Sequence, residues 1–316
     1  MKKNPLIILT GPTAVGKTKL SVKLAKAVGG EIISADSMQV YKGMDIGSAK
    51  VTEEETEGVP HHLINVLDPK DDFNVFIFKK MCDEIIPGIY ERGHIPILVG
   101  GTGFYIQAVL RGIEFDDNEE GSKIRDELEN LAREKGADYL HEELKKVDPE
   151  SALAIHKNNV KRTIRALEFY KETGKKISEH NESQKAKENA FNACYFVLND
   201  ERSTVYDRIE KRVDIMLNEG LVEEVKRLKE AGLTKENVSM QGLGYKEILS
   251  YLSGECTLDE AVYIIKRDTR HFAKRQITWF KRESDVIWLN KQDFDHDDDK
   301  ILAFITDKCK ESGIIS

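Results

Sequence analysis

The chain has 316 residues, 40% hydrophobic and 33% charged, with 48 Lys and Arg against 56 Asp and Glu for a net charge of −8. This is the composition of a soluble globular protein with room for one elaborated domain or two. No apolar run reaches the roughly 18–20 residues of a bilayer span, and Met1-Lys2-Lys3-Asn4-Pro5 is expected to enter a strand, not a secretory signal. Cys82, Cys194, Cys256 and Cys309 are isolated in the sequence, as expected of reduced thiols in a cytosolic protein.

The first predicted strand, 6–10, runs into Gly11-Pro12-Thr13-Ala14-Val15-Gly16-Lys17-Thr18. This is G-x-x-x-x-G-K-[ST] between a buried strand and a helix predicted over 17–28, the setting of a phosphate loop. Its backbone N–H groups can wrap a phosphate chain at the positive end of the helix. Lys17 can reach the distal phosphates, and Thr18 offers a hydroxyl to Mg²⁺.

Strands are next predicted at 31–34 and 95–99, and helices at 74–91 and 103–110. Such alternation predicts an α/β fold, a parallel sheet flanked by helices with its ligand at the C-terminal strand ends. The second strand ends in Asp36, which suits a general base, a metal ligand or a helix N-cap. The third ends in Gly100-Gly101-Thr102-Gly103, where nucleotide hydrolases usually carry an Asp for Mg²⁺. That absence counts against a motor or switch ATPase. His61-His62 has no metal partners at the right spacing and is read as structural.

Residues 116–190 change character: charged, helical in spacing (Leu128, Leu131, Leu140, Leu144; Ile164, Leu167) and poor in strand signals. We read them as an all-helical insertion, ending in a polar loop at 181–189, between core segments 1–115 and 191–316. After it come a strand at 194–198, a nearly all-helical stretch at 202–282, a strand at 286–289 and a helix at 298–312. Arg202, Arg208 and Arg212 share one helix and could converge on a diphosphate or lie on an exposed face.

Charge is unevenly spread. Segment 157–176 has seven Lys and Arg against Glu168 and Glu172, or +5; segment 266–282 has seven against Asp268, or +6. Acids gather in Asp116–Glu120 and Asp295–Asp299. Two basic segments in an acidic chain point to a polyanion partner. Arg275-Gln276-Ile277-Thr278-Trp279-Phe280 interleaves base, amide and aromatic, which suits RNA contact or, for the aromatics, a core.

Several blocks together resemble the bacterial tRNA dimethylallyltransferase (tRNA isopentenyltransferase) family. They are the GPTAVGKT loop, Asp36-Ser37-Met38-Gln39-Val40-Tyr41 with Gly43–Lys50, Pro60-His61-His62-Leu63, Gly100-Gly101-Thr102-Gly103, Asp148-Pro149 with Ile155-His156, Arg162–Glu168, Gly242–Glu247 and Ala273–Trp279. The likeness runs from about residue 6 to 289. Val15 replaces the usual Ser, and Lys157-Asn158-Asn159 replaces a common Pro-Asn-Asp run. The zinc-finger pattern of eukaryotic relatives is missing.

The resemblance implies transfer of a dimethylallyl group from dimethylallyl diphosphate to the exocyclic amine of the adenosine 3′ to the anticodon, by a cytoplasmic monomer using Mg²⁺ at Thr18. It implies Asp36 as base and Thr102 as orienting residue. Residues 11–18 with Arg208 and Arg212 would hold diphosphate. Asp36, Ser37, Met38, Gln39, Thr102, Arg125, Lys161, Arg162, Arg165, Lys274, Arg275 and Gln276 would meet the tRNA anticodon stem-loop. The alternatives on the same loop are an adenine-nucleotide isopentenyltransferase, a nucleotide kinase and a non-catalytic RNA-binding protein.

Overall fold

The computed structural model describes residues 3–115 and 123–315. Two compact units form: residues 1–110 with 190–316, and residues 111–189. The expected boundary at 116 and the acidic run Asp116–Glu120 lie outside the described residues.

In the first unit, β1 (Pro5–Thr10), α1 (Lys17–Val28), β2 (Gly30–Ala35), α2 (Glu53–Thr56), β3 (His61–His62), α3 (Val75–Glu91), β4 (Ile95–Gly100) and α4 (Gly103–Leu110) precede the insertion. The second unit is helical: α5 (Lys123–Val147, broken at Gly136), α6 (Pro149–Ala154), α7 (Val160–Thr173) and α8 (Ile177–Ala186). The first unit then resumes with β5 (Asn192–Asn199), α9 (Arg202–Asn218), α10 (Leu221–Glu230), α11 (Tyr245–Leu252), α12 (Leu258–Phe280), β6 (Val286–Asn290) and α13 (Asp298–Glu311).

All six strands are parallel, in the order β3-β2-β4-β1-β5-β6. Alternate residues serve two cores, as a sheet covered on both faces requires. Leu6, Ile8, Ile33 and Leu98 enter one cluster, while Ile7, Leu9, Ile32 and Ile97 enter the other. Two-residue β3 escapes the sequence pattern because it is too short to alternate. At the start of β2 the buried Glu31 takes two hydrogen bonds from Arg92 (2.8 and 2.7 Å) and contacts His62 (2.6 Å) and His94 (2.7 Å). Arg92 first, then the two histidines, outweigh burial and hold the Glu31 carboxyl down at about 2.

In the second unit Leu128, Leu140, Leu144, Ile164 and Leu167 form the core. Buried Asp148 caps α6 through Ser151 N (3.0 Å) and fixes the start of α8 through Ser178 N (3.0 Å). The polar run expected as a loop at 181–189 is helical through Ala186. Glu, Gln, Lys and Ala are good helix formers, and polarity alone does not unwind them. Cys194 and Cys309, isolated in sequence, are free thiols, and Cys194 on β5 meets α13 and its end through Lys308 O (3.7 Å) and Ser312 Oγ (3.3 Å).

Candidate active site

The pairing register sets the site. Thr10 lies opposite Gly100, and Gly100 opposite Ala35, so β1, β4 and β2 end level. The phosphate loop, the Gly101-Thr102 loop and Asp36 therefore emerge side by side at one strand-end crevice. The Thr10 hydroxyl donates to Gly100 O (2.7 Å), and Thr102 N donates to Ala35 O (3.4 Å), tying the loops together.

Gly11 stands at φ +147°, and a Cβ there would lie 2.2 Å from Leu198 O, so only glycine fits. Gly16 opens α1 with no side-chain cap and no acid in the first turn. The first N–H groups are thus left for an anion. Lys17 Nζ donates back to Gly11 O (3.0 Å) and Pro12 O (2.8 Å). Burial first, then the like charge of Arg212, lowers Lys17 to about 8 against the pull of Asp36. Burial also lowers Arg212, with Glu55 and Asp36 opposing. Among the described residues Arg212 makes no ion pair, and the Thr18 hydroxyl makes no hydrogen bond. Two half-buried cations, Lys17 at the uncapped start of α1 and Arg212 on α9, can together take up a small polyanion.

The structure separates the two arginines expected to converge. Arg208 is bound at 2.8 Å to Asp200, whose side chain is fully buried. Its charge is committed to the fold, whereas Arg212 makes no ion pair among the described residues; Arg202 is exposed and lies over the Tyr206 ring (5.0 Å). Sequence reading missed Lys291, just beyond β6. It is buried, lies 3.2 Å from Asp298, and its Nζ is 3.2 Å from where a Cβ on Gly16 would stand.

Asp36 Oδ1 accepts from Met38 N (2.8 Å) and Gln39 N (3.3 Å), which makes a turn and not the helix cap weighed from sequence. Among the described residues Oδ2 accepts no hydrogen bond, so it is the oxygen able to take a proton. Ser37 is partly buried. The Met38 side chain packs on Gly242, and Gln39 Nε2 donates to Ala49 O (3.2 Å). The Thr102 carbonyl opens α4 by accepting from Tyr105 N (3.0 Å) and Ile106 N (3.2 Å), while its hydroxyl bonds to no described residue. Buried Glu224 holds the Asp45–Gly47 loop through the N–H groups of Asp45 (2.9 Å), Ile46 (2.9 Å) and Gly47 (3.1 Å) and the Tyr245 hydroxyl (2.7 Å). A Glu beside another Glu in the first turn of an amphipathic helix gives no sequence sign of this.

The basic segments are sorted by pairing. On α12, Lys266 binds Asp214 (2.5 Å) and Arg270 binds Glu210 (2.6 Å), both on α9, and Arg267 binds Asp268 (2.7 Å). Lys274 and Arg275 are exposed with no ion pair among the described residues, whereas Gln276 is buried. It accepts from Thr13 N (2.9 Å) and donates to Gly101 O (3.0 Å). In the second unit Arg125 (2.6 Å) and Arg165 (3.4 Å) bind buried Glu168, a charge that needs such partners. Lys161 and Arg162 remain exposed.

A family model described as IPP transferase matches residues 39–283, and one described as isopentenyl transferase matches 4–65. Curated tRNA dimethylallyltransferases from Lachnoclostridium phytofermentans and Acetivibrio thermocellus are 60% and 51% identical over 293 residues, 93% of this chain and 94% of each relative. The solved tRNA isopentenylpyrophosphate transferase of Bacillus halodurans is 45% identical, with TM-score 0.74 over 98% of both chains. A eukaryotic dimethylallyltransferase solved acting on tRNA is 34% identical, with TM-score 0.78 over 91% of this chain and 74% of that one. Among the described residues no helix is long and apolar enough to cross a membrane. With identity sustained along nearly the whole length and the IPP transferase model matching residues 39–283, this chain belongs to the tRNA dimethylallyltransferase family of IPP transferases.

Proposed function

We infer that this chain transfers a dimethylallyl group from dimethylallyl diphosphate to the exocyclic amine of the adenosine next to the anticodon of tRNA, acting as a cytoplasmic monomer. The observation that carries this reading is the level ending of β1, β2 and β4, which sets an open anion cradle beside a carboxylate and a free hydroxyl.

The cradle suits a diphosphate leaving group. As the allylic C–O bond breaks, the electron pair goes to the diphosphate. The α1 N–H groups, Lys17 and Arg212 meet that growing charge in a desolvated setting, where fixed donors are worth most. The adenine nitrogen forms the new N–C bond, and its proton passes to Asp36 Oδ2. General-base help of this kind contributes about 10²–10⁴-fold. The Thr102 hydroxyl orients the amine or a diphosphate oxygen. The base must leave its stack to reach this crevice.

A Mg²⁺ ion fits the donor set. Among the described residues no three His, Cys, Asp or Glu converge as a metal cage. Mg²⁺ does not need one, since it keeps waters and takes ligands from substrate phosphates. Thr18 would hold it, and when bound it supplies further neutralisation of the diphosphate.

Of the cations expected to meet tRNA, Lys161, Arg162, Lys274 and Arg275 are exposed and make no ion pair among the described residues, so they are available to its phosphates. The test is the mass of nucleosides from unmodified tRNA incubated with the protein, Mg²⁺ and dimethylallyl diphosphate. A five-carbon gain on adenosine that requires tRNA is expected. Gain on free AMP instead, or phosphate transfer from ATP, would overturn the reading.

A further inference from the structure

One face of α12 touches both glycine loops. Ala273 shares a small buried cluster with Ala14 of the phosphate loop, Gln276 bridges Thr13 and Gly101, and Trp279 lies against Gly103. These positions repeat every three residues and so share a helix face. The intervening Lys274 and Arg275 point to solvent. The amide of Gln276 is the only part of this face that hydrogen-bonds to both loops among the described residues.

The chemistry of that bridge is specific. Thr13 offers an N–H and Gly101 offers a carbonyl, so the partners themselves fix which end of the amide is oxygen. The side chain is 6% exposed, and a Cβ on Gly101 would lie 2.1 Å from Nε2. The loops are thereby held one amide width apart. Thr13 lies within the cradle and follows Pro12, whose carbonyl accepts from Lys17 Nζ (2.8 Å). Gly101 is followed by Thr102. Glu would keep the acceptor and lose the donor, Asn would be too short, and Met would lose both.

We propose that Gln276 is a positioning residue for the reaction inferred above, setting the distance between the diphosphate cradle and Thr102, and is not itself a tRNA ligand. The proposal rests on the prenyl-transfer reading. Misplacing reacting groups by about 1 Å can cost about 10²-fold in rate, whereas removing a group that touches RNA weakens binding.

Gln276→Met, Gln276→Glu and Gly101→Ala are compared with wild type for kcat, for KM of each substrate, for tRNA Kd by filter binding and for unfolding midpoint. Gln276→Met is expected to keep tRNA Kd within about twofold while kcat falls about 10²-fold. Gln276→Glu should fall similarly and, alone among the variants, should also raise the KM for dimethylallyl diphosphate, because a carboxylate now borders the cradle. Gly101→Ala disturbs the same bridge from the other side and should reproduce the kcat loss. The proposal is overturned if kcat holds while tRNA Kd weakens, or if activity falls only in proportion to the fraction unfolded in all three. Wild-type protein that transfers no prenyl group would defeat the functional reading instead.

Discussion

Beside the phosphate loop, Lys17 on α1 and Arg212 on α9 are half-buried cations with no ion-pair partner among the described residues; along α7 and α12, cations are either paired with acids or exposed. Enclosure without a partner is costly for a charge, so it survives where a ligand anion completes it. Exposed cations cost little and give little individually, but together they bind a polyanion in a salt-dependent way. The first arrangement selects a small group by geometry. The second holds a long one by number.

The contrast is sharpest within α9. Arg212→Ala is expected to lower kcat/KM for dimethylallyl diphosphate by about 10²–10³-fold, the scale for losing one preorganised donor to a developing anion. Arg208→Ala should leave that ratio within several-fold but destabilise the fold by about 1–2 kcal/mol, because Asp200 is left buried without its main partner. Steady-state kinetics with thermal unfolding separates the two. Equal kinetic losses would erase the distinction drawn here.

Lys17 yields a pH dependence of smaller size. Its ammonium, lowered to about 8, is charged in the free protein below that pH and neutral above it. The value of kcat/KM for the diphosphate should be flat up to about pH 7, fall to about half near pH 8 and then drop up to tenfold per pH unit, since this ratio reports the free enzyme. For stability the sign is opposite. The unfolded chain holds this proton up to 10.5, so between about 8 and 10.5 Lys17 makes folding more favourable as pH rises. A kcat/KM profile that stays flat to pH 9.5 would show that the charge on Lys17 is not needed.

The basic faces should give the smallest single effects. Replacing Lys161, Arg162, Lys274 or Arg275 by Ala should each weaken tRNA binding a few-fold at low salt. Each should also reduce the slope of log K against log salt by about 0.7–0.9 for every phosphate the side chain had neutralised. Arg125→Ala and Arg165→Ala, which release Glu168, should affect the unfolding midpoint more than the salt slope. A salt slope unchanged in Lys274→Ala and Arg275→Ala would remove α12 from the RNA-binding face.

How much could be read in advance follows from the distance over which each feature is determined. α1 at Lys17–Val28 and α4 at Gly103–Leu110 coincide with expectation because strand, glycine turn and helix period lie within a few residues of each other. Asp36 stands at a strand end as its position in the sequence suggests, but its double role needs the turn to Met38 and Gln39. Arg208 and Arg212 look equivalent as an i, i+4 pair, and only Asp200 tells them apart. Gln276 reads as an RNA ligand within its basic run because its partners lie at Thr13 and Gly101, far off in the chain. Sequence patterns report backbone and burial well. They say little about which of several like charges finds a partner.

The most direct measurement is single-turnover prenylation of tRNA by Asp36→Asn, with tRNA and diphosphate binding measured on the same protein. Asn keeps an oxygen for the Met38 and Gln39 amides but cannot take the proton. Both substrates should bind within several-fold of wild type while the rate falls about 10²-fold or more. A rate close to wild type would mean that Asp36 only shapes its turn and that the base lies elsewhere.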